Sequence, residues 1–182
     1  PRGWPPLLDA CRARGAEVRE GLIAELDAAL SGILREWPAP GSLPRGHIHA
    51  DLFPDNVFFL DGPDGKPRVS GLIDFYFACT DLLAYDIAVC LNAWCFETDL
   101  SFNVTKARAM LAAYEAKRKL TDAEREALPV LCRGAAIRFL LTRLYDWTHT
   151  PPGALVTRKD PLEYLRRLRF HAEARGPSAY GL

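Results

Sequence analysis

His49-Ala50-Asp51-Leu52-Phe53-Pro54-Asp55-Asn56 and, eighteen positions past Asn56, Ile73-Asp74-Phe75-Tyr76 are the two stretches on which the fold turns. Between them lie two short β-rich runs, Val57-Phe58-Phe59-Leu60 and Val69-Ser70-Gly71-Leu72-Ile73. The turn residues Asp61-Gly62-Pro63-Asp64-Gly65 separate these runs, so the pattern predicts an antiparallel hairpin. Asn56 would open one strand and Asp74 would close the other. Antiparallel pairing sets those two ends side by side, which lets an amide oxygen and a carboxylate reach one cation despite their separation along the chain.

A carboxylate, an amide and a second carboxylate in this order suit phosphoryl transfer, which demands placed charge more than covalent chemistry from the protein. Asp51 is the candidate catalytic base, oriented to take the proton of an attacking hydroxyl. Asn56 offers Mg²⁺ a neutral oxygen, and Asp74 supplies the anionic ligand of a cation bridging phosphates. His49 is expected to brace the loop by hydrogen bonds. Taken singly these residues are weak signals: Asp-Leu-x-x-x-Asn recurs by chance, and an aspartate can simply end a strand. Their joint occurrence around a hairpin, with Phe75 directly after Asp74, is what carries the reading.

Leu82 to Phe96 is apolar on nearly every face, as in a helix buried on all sides, and falls short of the roughly 18 to 20 residues that span a bilayer. Its acid, Asp86, needs a partner, because an ionised carboxylate in such a helix is costly when unpaired. The expectation is that Asp86 accepts hydrogen bonds from the loop around His49 and so holds Asp51 in place. Asp81 reads as an acid at the helix start. His47-Ile48-His49-Ala50-Asp51 also matches the His-x-His-x-Asp opening of binuclear metal hydrolases. That rival lacks the further aspartate-histidine step, position 52 being leucine, and only His149 and His171 remain as ligands.

The surrounding segments read mostly as helices. Val18, Leu22, Leu26, Leu30 and Ile33 give Ala16 to Arg35 one apolar stripe, ended by Trp37-Pro38. Pro38 to Gly46 is then a loop delivering the chain to His47. Thr105 to Lys119 reads as a surface helix, and Thr121-Asp-Ala-Glu124 opens another with a capping box that Pro129 should break, a further helix following through Tyr145. Asp160-Pro161-Leu162-Glu163 begins a last helix, Tyr164 to Ala174, stopped by Gly176-Pro177. The predicted fold is mostly α with a small β-hairpin.

Composition sets bounds on the partners. Lysine plus arginine equals aspartate plus glutamate at 23 each in 182 residues, which leaves no net field drawing the chain to nucleic acid or an anionic membrane. The five cysteines are odd in number and form no Cys-x-x-Cys pair, which fits reduced thiols in cytoplasm. The chain begins Pro1-Arg2-Gly3 without methionine, so it is expected to be a piece of a longer one.

These residues resemble the aminoglycoside phosphotransferase-like kinases, whose C-terminal lobe carries His-x-Asp-x-x-x-x-Asn, then Ile-Asp, then an acid before an Asp-x-Ala helix. Here those positions are His49/Asp51/Asn56, Ile73-Asp74 and Asp81/Asp86-Ile87-Ala88. The longer strings His49 to Phe59, Gly71 to Cys79, Asp81 to Ala88 and Cys90 to Glu97 are similar to homoserine kinases of the ThrB type. So are Arg138 to Asp146, Thr150 to Val156 and Lys159 to Leu165. Tyr76, where protein kinases have the glycine of Asp-Phe-Gly, is a departure and a candidate substrate contact. The resemblance implies the C-terminal lobe of a protein-kinase-like fold over residues 1–182, with ATP and Mg²⁺ as cofactors and L-homoserine as substrate in threonine biosynthesis. It also implies an N-terminal nucleotide-binding β-lobe that this chain does not contain, since Pro1 to Pro44 holds no Gly-rich loop. Within it, Arg143 is a candidate receiver of the substrate carboxylate, with Asp146 three positions on. The alternatives are a related kinase acting on choline, a thiosugar or an aminoglycoside, or a lobe without ATP turnover.

Overall fold

The computed structural model describes residues 1–151, 154, 155 and 157–182. Pro152, Gly153 and Val156, which belong to the Thr150–Val156 string, lie outside the described residues. The chain divides into two compact units: Pro1–Pro38 with Pro129–Arg175, and Ala39–Leu128 with Gly176–Leu182.

In the first unit the apolar stripe predicted over Ala16–Arg35 is shared by two helices, α1 (Trp4–Val18) and α2 (Leu22–Glu36). They part at Arg19-Glu20-Gly21, where Gly21 takes φ +72°, a left-handed conformation that is cheap only without a Cβ. Leu22, Leu26, Leu30 and Ile33 lie on one buried face of α2, as the periodicity predicts, while the break at Arg19–Gly21 and the whole of α1 have no counterpart in the sequence reading. Ion pairs join α2 to later elements: Glu36 to Arg133, and Glu25 to Arg169 at 2.8 Å.

The helix α5 (Asp122–His149) runs through Pro129 without the expected break. Proline removes one helical donor and crowds the preceding turn, a cost of about 3 kcal/mol or more. Complete burial of Leu128, Leu131, Cys132 and Ala135 on either side outweighs it, and the border between the two units falls at this residue. Further along α5, Gly134 makes room for an aromatic: a Cβ there would stand 2.3 Å from the Trp37 ring, which meets Trp4 edge to face at 5.1 Å. The last helix, α6 (Leu162–Glu173), starts as predicted from Asp160, whose Oδ1 accepts the Leu162 N–H at 2.8 Å.

The second unit holds two separate two-stranded antiparallel sheets. The predicted hairpin is β2 (Val57–Asp61) with β3 (Pro67–Leu72), and it carries a bulge that places Phe58 opposite Gly71 and Phe59 opposite Val69. The other sheet pairs β1 (Arg45–Ile48) with β4 (Cys79–Leu82) in the register Arg45↔Leu82 to Ile48↔Cys79. The sequence reading misses this sheet, because each strand is four residues long and β1 emerges from a Pro/Gly-rich loop. It also moves Asp81 from a helix cap to a ladder position opposite Gly46, where its Oδ1 accepts the Leu82 N–H at 2.8 Å. The helix α3 (Leu83–Trp94) starts instead with the Leu83 N–H bonded to the Pro44 carbonyl at 3.0 Å.

After α3 come α4 (Val104–Glu115), capped by the Asn103 side chain on the Lys106 N–H, and the opening of α5. There the predicted capping box forms. Glu124 accepts the Thr121 N–H at 2.9 Å, and Thr121 Oγ1 accepts the Glu124 N–H at 3.2 Å. Glu124 is fully buried and also takes two hydrogen bonds from Arg118, at 2.6 and 3.1 Å. Burial pushes its carboxyl up, but the bonds from Arg118 and Thr121 more than offset this and hold it below the usual carboxylate range. Because the folded value is depressed, the stabilisation is present above the unfolded pKa of about 4.3 and fades as pH falls through the folded value. Glu124→Gln is therefore expected to lose roughly 1–3 kcal/mol at pH 7, a deficit that shrinks in acid, as urea unfolding at several pH values would show.

Candidate active site

Between β1 and the hairpin the chain crosses the mouth of α3. Asp86, in the first turn of α3, accepts the His49 N–H at 3.1 Å and the Ala50 N–H at 2.8 Å, each on its own carboxylate oxygen. Two successive N–H groups converge on one carboxylate only when the backbone turns into a nest, and Ala50 accordingly takes φ +62°. That left-handed conformation costs an alanine on the order of 1–2 kcal/mol, which the two charge-assisted bonds offset. Asp86 is half-buried rather than enclosed, so the partner demanded of a carboxylate on this helix is the loop itself.

The buried His49 ring has both nitrogens committed. Its Nδ1 accepts the Asp51 N–H at 3.3 Å and its Nε2 donates to the Ile73 carbonyl at 2.8 Å, which fixes the neutral Nε2–H tautomer. The Phe75 ring lies against it with centroids 4.7 Å apart. A ring engaged in this way has no lone pair for a metal, and its neighbour His47 sits exposed in β1, so the binuclear hydrolase reading loses its ligands.

Past Asp51 the chain turns tightly, the Phe53 N–H bonding the Asp51 carbonyl at 2.8 Å. The same carbonyl accepts Asn56 Nδ2 at 2.8 Å, which turns the amide oxygen of the buried Asn56 the other way. The Asn56 carbonyl accepts the Ile73 N–H at 3.1 Å, extending the β2–β3 ladder by one step and setting Asp74 beside Asn56. Asp74 is exposed and left-handed at φ +61°, ahead of a short 3-10 turn, Phe75–Phe77. The structure thus brings together the segments bearing His49, Asp51, Asn56, Asp74 and Asp86.

Asn56 Oδ1 and the Asp74 carboxylate, just outside the paired ends of β2 and β3, are hard oxygen donors of the kind that could hold a Mg²⁺ ion that keeps water and phosphate oxygens in its octahedron. Among the described residues no group of three or more His, Cys, Asp or Glu is spaced to hold a metal alone, which an ion shared with phosphates does not require.

Three other candidates are placed differently. Tyr76 is 86% exposed and leans edge-on to Phe77. Arg143, in the first unit, donates to Glu163 at 2.7 Å and to the Asp160 carbonyl at 3.1 Å, and its guanidinium lies over the Tyr164 ring. Asp146, a turn further along α5, is exposed. Trp94 escaped the sequence reading: its Nε1–H donates to the Leu52 carbonyl at 2.8 Å, and a side-chain bond to a backbone oxygen leaves no spacing signature.

This chain is similar to several known proteins. The homoserine kinases of Gluconacetobacter diazotrophicus, Acidiphilium cryptum and Granulibacter bethesdensis are 68%, 67% and 63% identical to it over 182 residues, the whole chain and 55% of each relative. The chain therefore spans about half the length of these curated relatives. The solved structure of an ethanolamine kinase from Plasmodium vivax superposes on 97% of the chain and 50% of its own, with a TM-score of 0.57 and 16% identity, a likeness that shows the kinase-like fold. No helix among the described residues is long and apolar enough to cross a membrane. Residues 1–120, two thirds of the sequence, match the phosphotransferase enzyme family, and the chain belongs to that family.

Proposed function

We propose that this chain is the C-terminal lobe of a kinase that phosphorylates the side-chain hydroxyl of L-homoserine with ATP and Mg²⁺. The observation that carries the substrate is the identity of 63–68% over the whole chain with three homoserine kinases. In this reading the part of those relatives outside the matched 55% supplies the phosphate-covering lobe. The five cysteines, odd in number and without a Cys-x-x-Cys pair, support a reducing, cytoplasmic setting.

The loop geometry supports the chemistry. Asp51 receives the proton of the homoserine hydroxyl as that oxygen moves onto the γ-phosphorus. His49, Asn56 and the Asp86 nest hold its backbone, so the carboxylate meets the hydroxyl without rearrangement. Asn56 and Asp74 would hold the magnesium ion, which when bound neutralises charge developing on the phosphates. Arg143 Nη1 is taken by Glu163 and the Asp160 carbonyl, which leaves the rest of its guanidinium for a substrate carboxylate. Tyr76, exposed two residues past Asp74, stays a candidate substrate contact in this reading, as does the exposed Asp146 taken by itself.

A coupled ADP-release assay on the full-length polypeptide, with homoserine, choline and an aminoglycoside compared side by side, tests the proposal. Turnover on homoserine alone is expected. Turnover on either of the others, with none on homoserine, would overturn the substrate.

A further inference from the structure

Asp86 accounts for one side of the catalytic loop, the N–H groups of His49 and Ala50. On the other side of Asp51 the next peptide unit is that of the half-buried Leu52, whose carbonyl needs a donor. Trp94 meets it at 2.8 Å from the last residue of α3. The two anchors are eight residues apart on one helix, about 12 Å at about 1.5 Å per residue. The loop from His49 to Leu52 turns tightly between them, so it is held at two points of one helix. We infer that Trp94 is a positioning residue for the phosphoryl transfer proposed above, its indole N–H fixing the Leu52 peptide so that Asp51 is clamped between two points of the same helix.

The indole is half-buried, and its ring could serve the core equally well without the N–H. A purely packing role and a positioning role therefore separate when the donor alone is removed. Trp94→Phe keeps an aromatic ring and deletes the N–H. The expected result is a kcat about tenfold lower, from a displaced base. KM for homoserine and for ATP should stay within about twofold of the parent, because substrate contacts are untouched. Combined with Asp86→Asn, the loss in kcat should be smaller than the product of the two single losses, since a loop released at one end has less to lose at the other. Unchanged kcat in Trp94→Phe, or strictly multiplicative losses in the double variant, would overturn the inference.

A measurement on the unaltered protein covers the case in which the variant does not fold. In ¹⁵N-indole spectra the Trp94 N–H should exchange with solvent at least about tenfold more slowly than that of free tryptophan, as a bonded proton does. Exchange as fast as free tryptophan would sink the bond and the inference with it. Failure of the full-length polypeptide to phosphorylate homoserine would remove the proposed substrate while leaving this exchange result to decide the clamp.

Discussion

Asp51→Asn is expected to cut kcat for homoserine phosphorylation by roughly a hundredfold or more, the contribution typical of a placed general base. The substitution preserves shape and removes the proton-accepting charge. Asp51 is tied into the loop through its backbone, its N–H to His49 Nδ1 and its carbonyl to Phe53 N–H and Asn56 Nδ2. Those bonds survive in the variant, so it should still fold, with an unfolding transition as cooperative as the parent's. KM for ATP should hardly move, because the nucleotide's cation is assigned to Asn56 and Asp74. Steady-state ADP release with thermal unfolding on the same samples checks both halves. A variant retaining a large part of the parent kcat would remove Asp51 from the reaction.

The second large effect is expected at a residue that touches no substrate. Asp86→Ala deletes both acceptors of the nest and leaves the His49 and Ala50 N–H groups without their carboxylate. Hydrogen bonds to a charged group contribute about 1.5–3 kcal/mol each, and Ala50 keeps its left-handed strain without the carboxylate that offsets it, so a loss of about 3 kcal/mol in stability is expected. Turnover should fall by about a hundredfold as the loop drifts and Asp51 with it. Asp86→Asn, which keeps one acceptor oxygen and turns an NH₂ toward the other donor, should recover part of the stability and little of the turnover. Urea unfolding read beside ADP release separates the two losses, and full activity in Asp86→Ala would refute the role.

Legibility of this chain in its sequence followed the range of the forces involved. The hairpin could be read because its turn residues and β-rich runs are local, and because Asn56 and Asp74 flank it at the ladder's open end. Asp86 could be read because a carboxylate among apolar residues demands a donor, although its partners proved to be backbone N–H groups. The β1–β4 sheet is hidden: Arg45-Gly-His-Ile48 carries no strand pattern, and only its partner Cys79–Leu82, more than 30 residues on, makes it one. Pro129 misled for the opposite reason, a strong local signal overridden by buried neighbours on both sides. Trp94 could not be found from spacing, since an indole on a core helix looks the same whether or not a carbonyl waits beside it.

The helix that seals the interior of its unit is also the helix that grips the reacting loop, for Leu91, Val89 and Ala88 sit at 0% exposure between the two residues that hold it. A slight loosening of that greasy interior would therefore reach the loop that carries Asp51, with every chemical group still present. Selection for throughput consequently acts on side chains that never meet a metabolite, and warming such a protein should silence it before it melts.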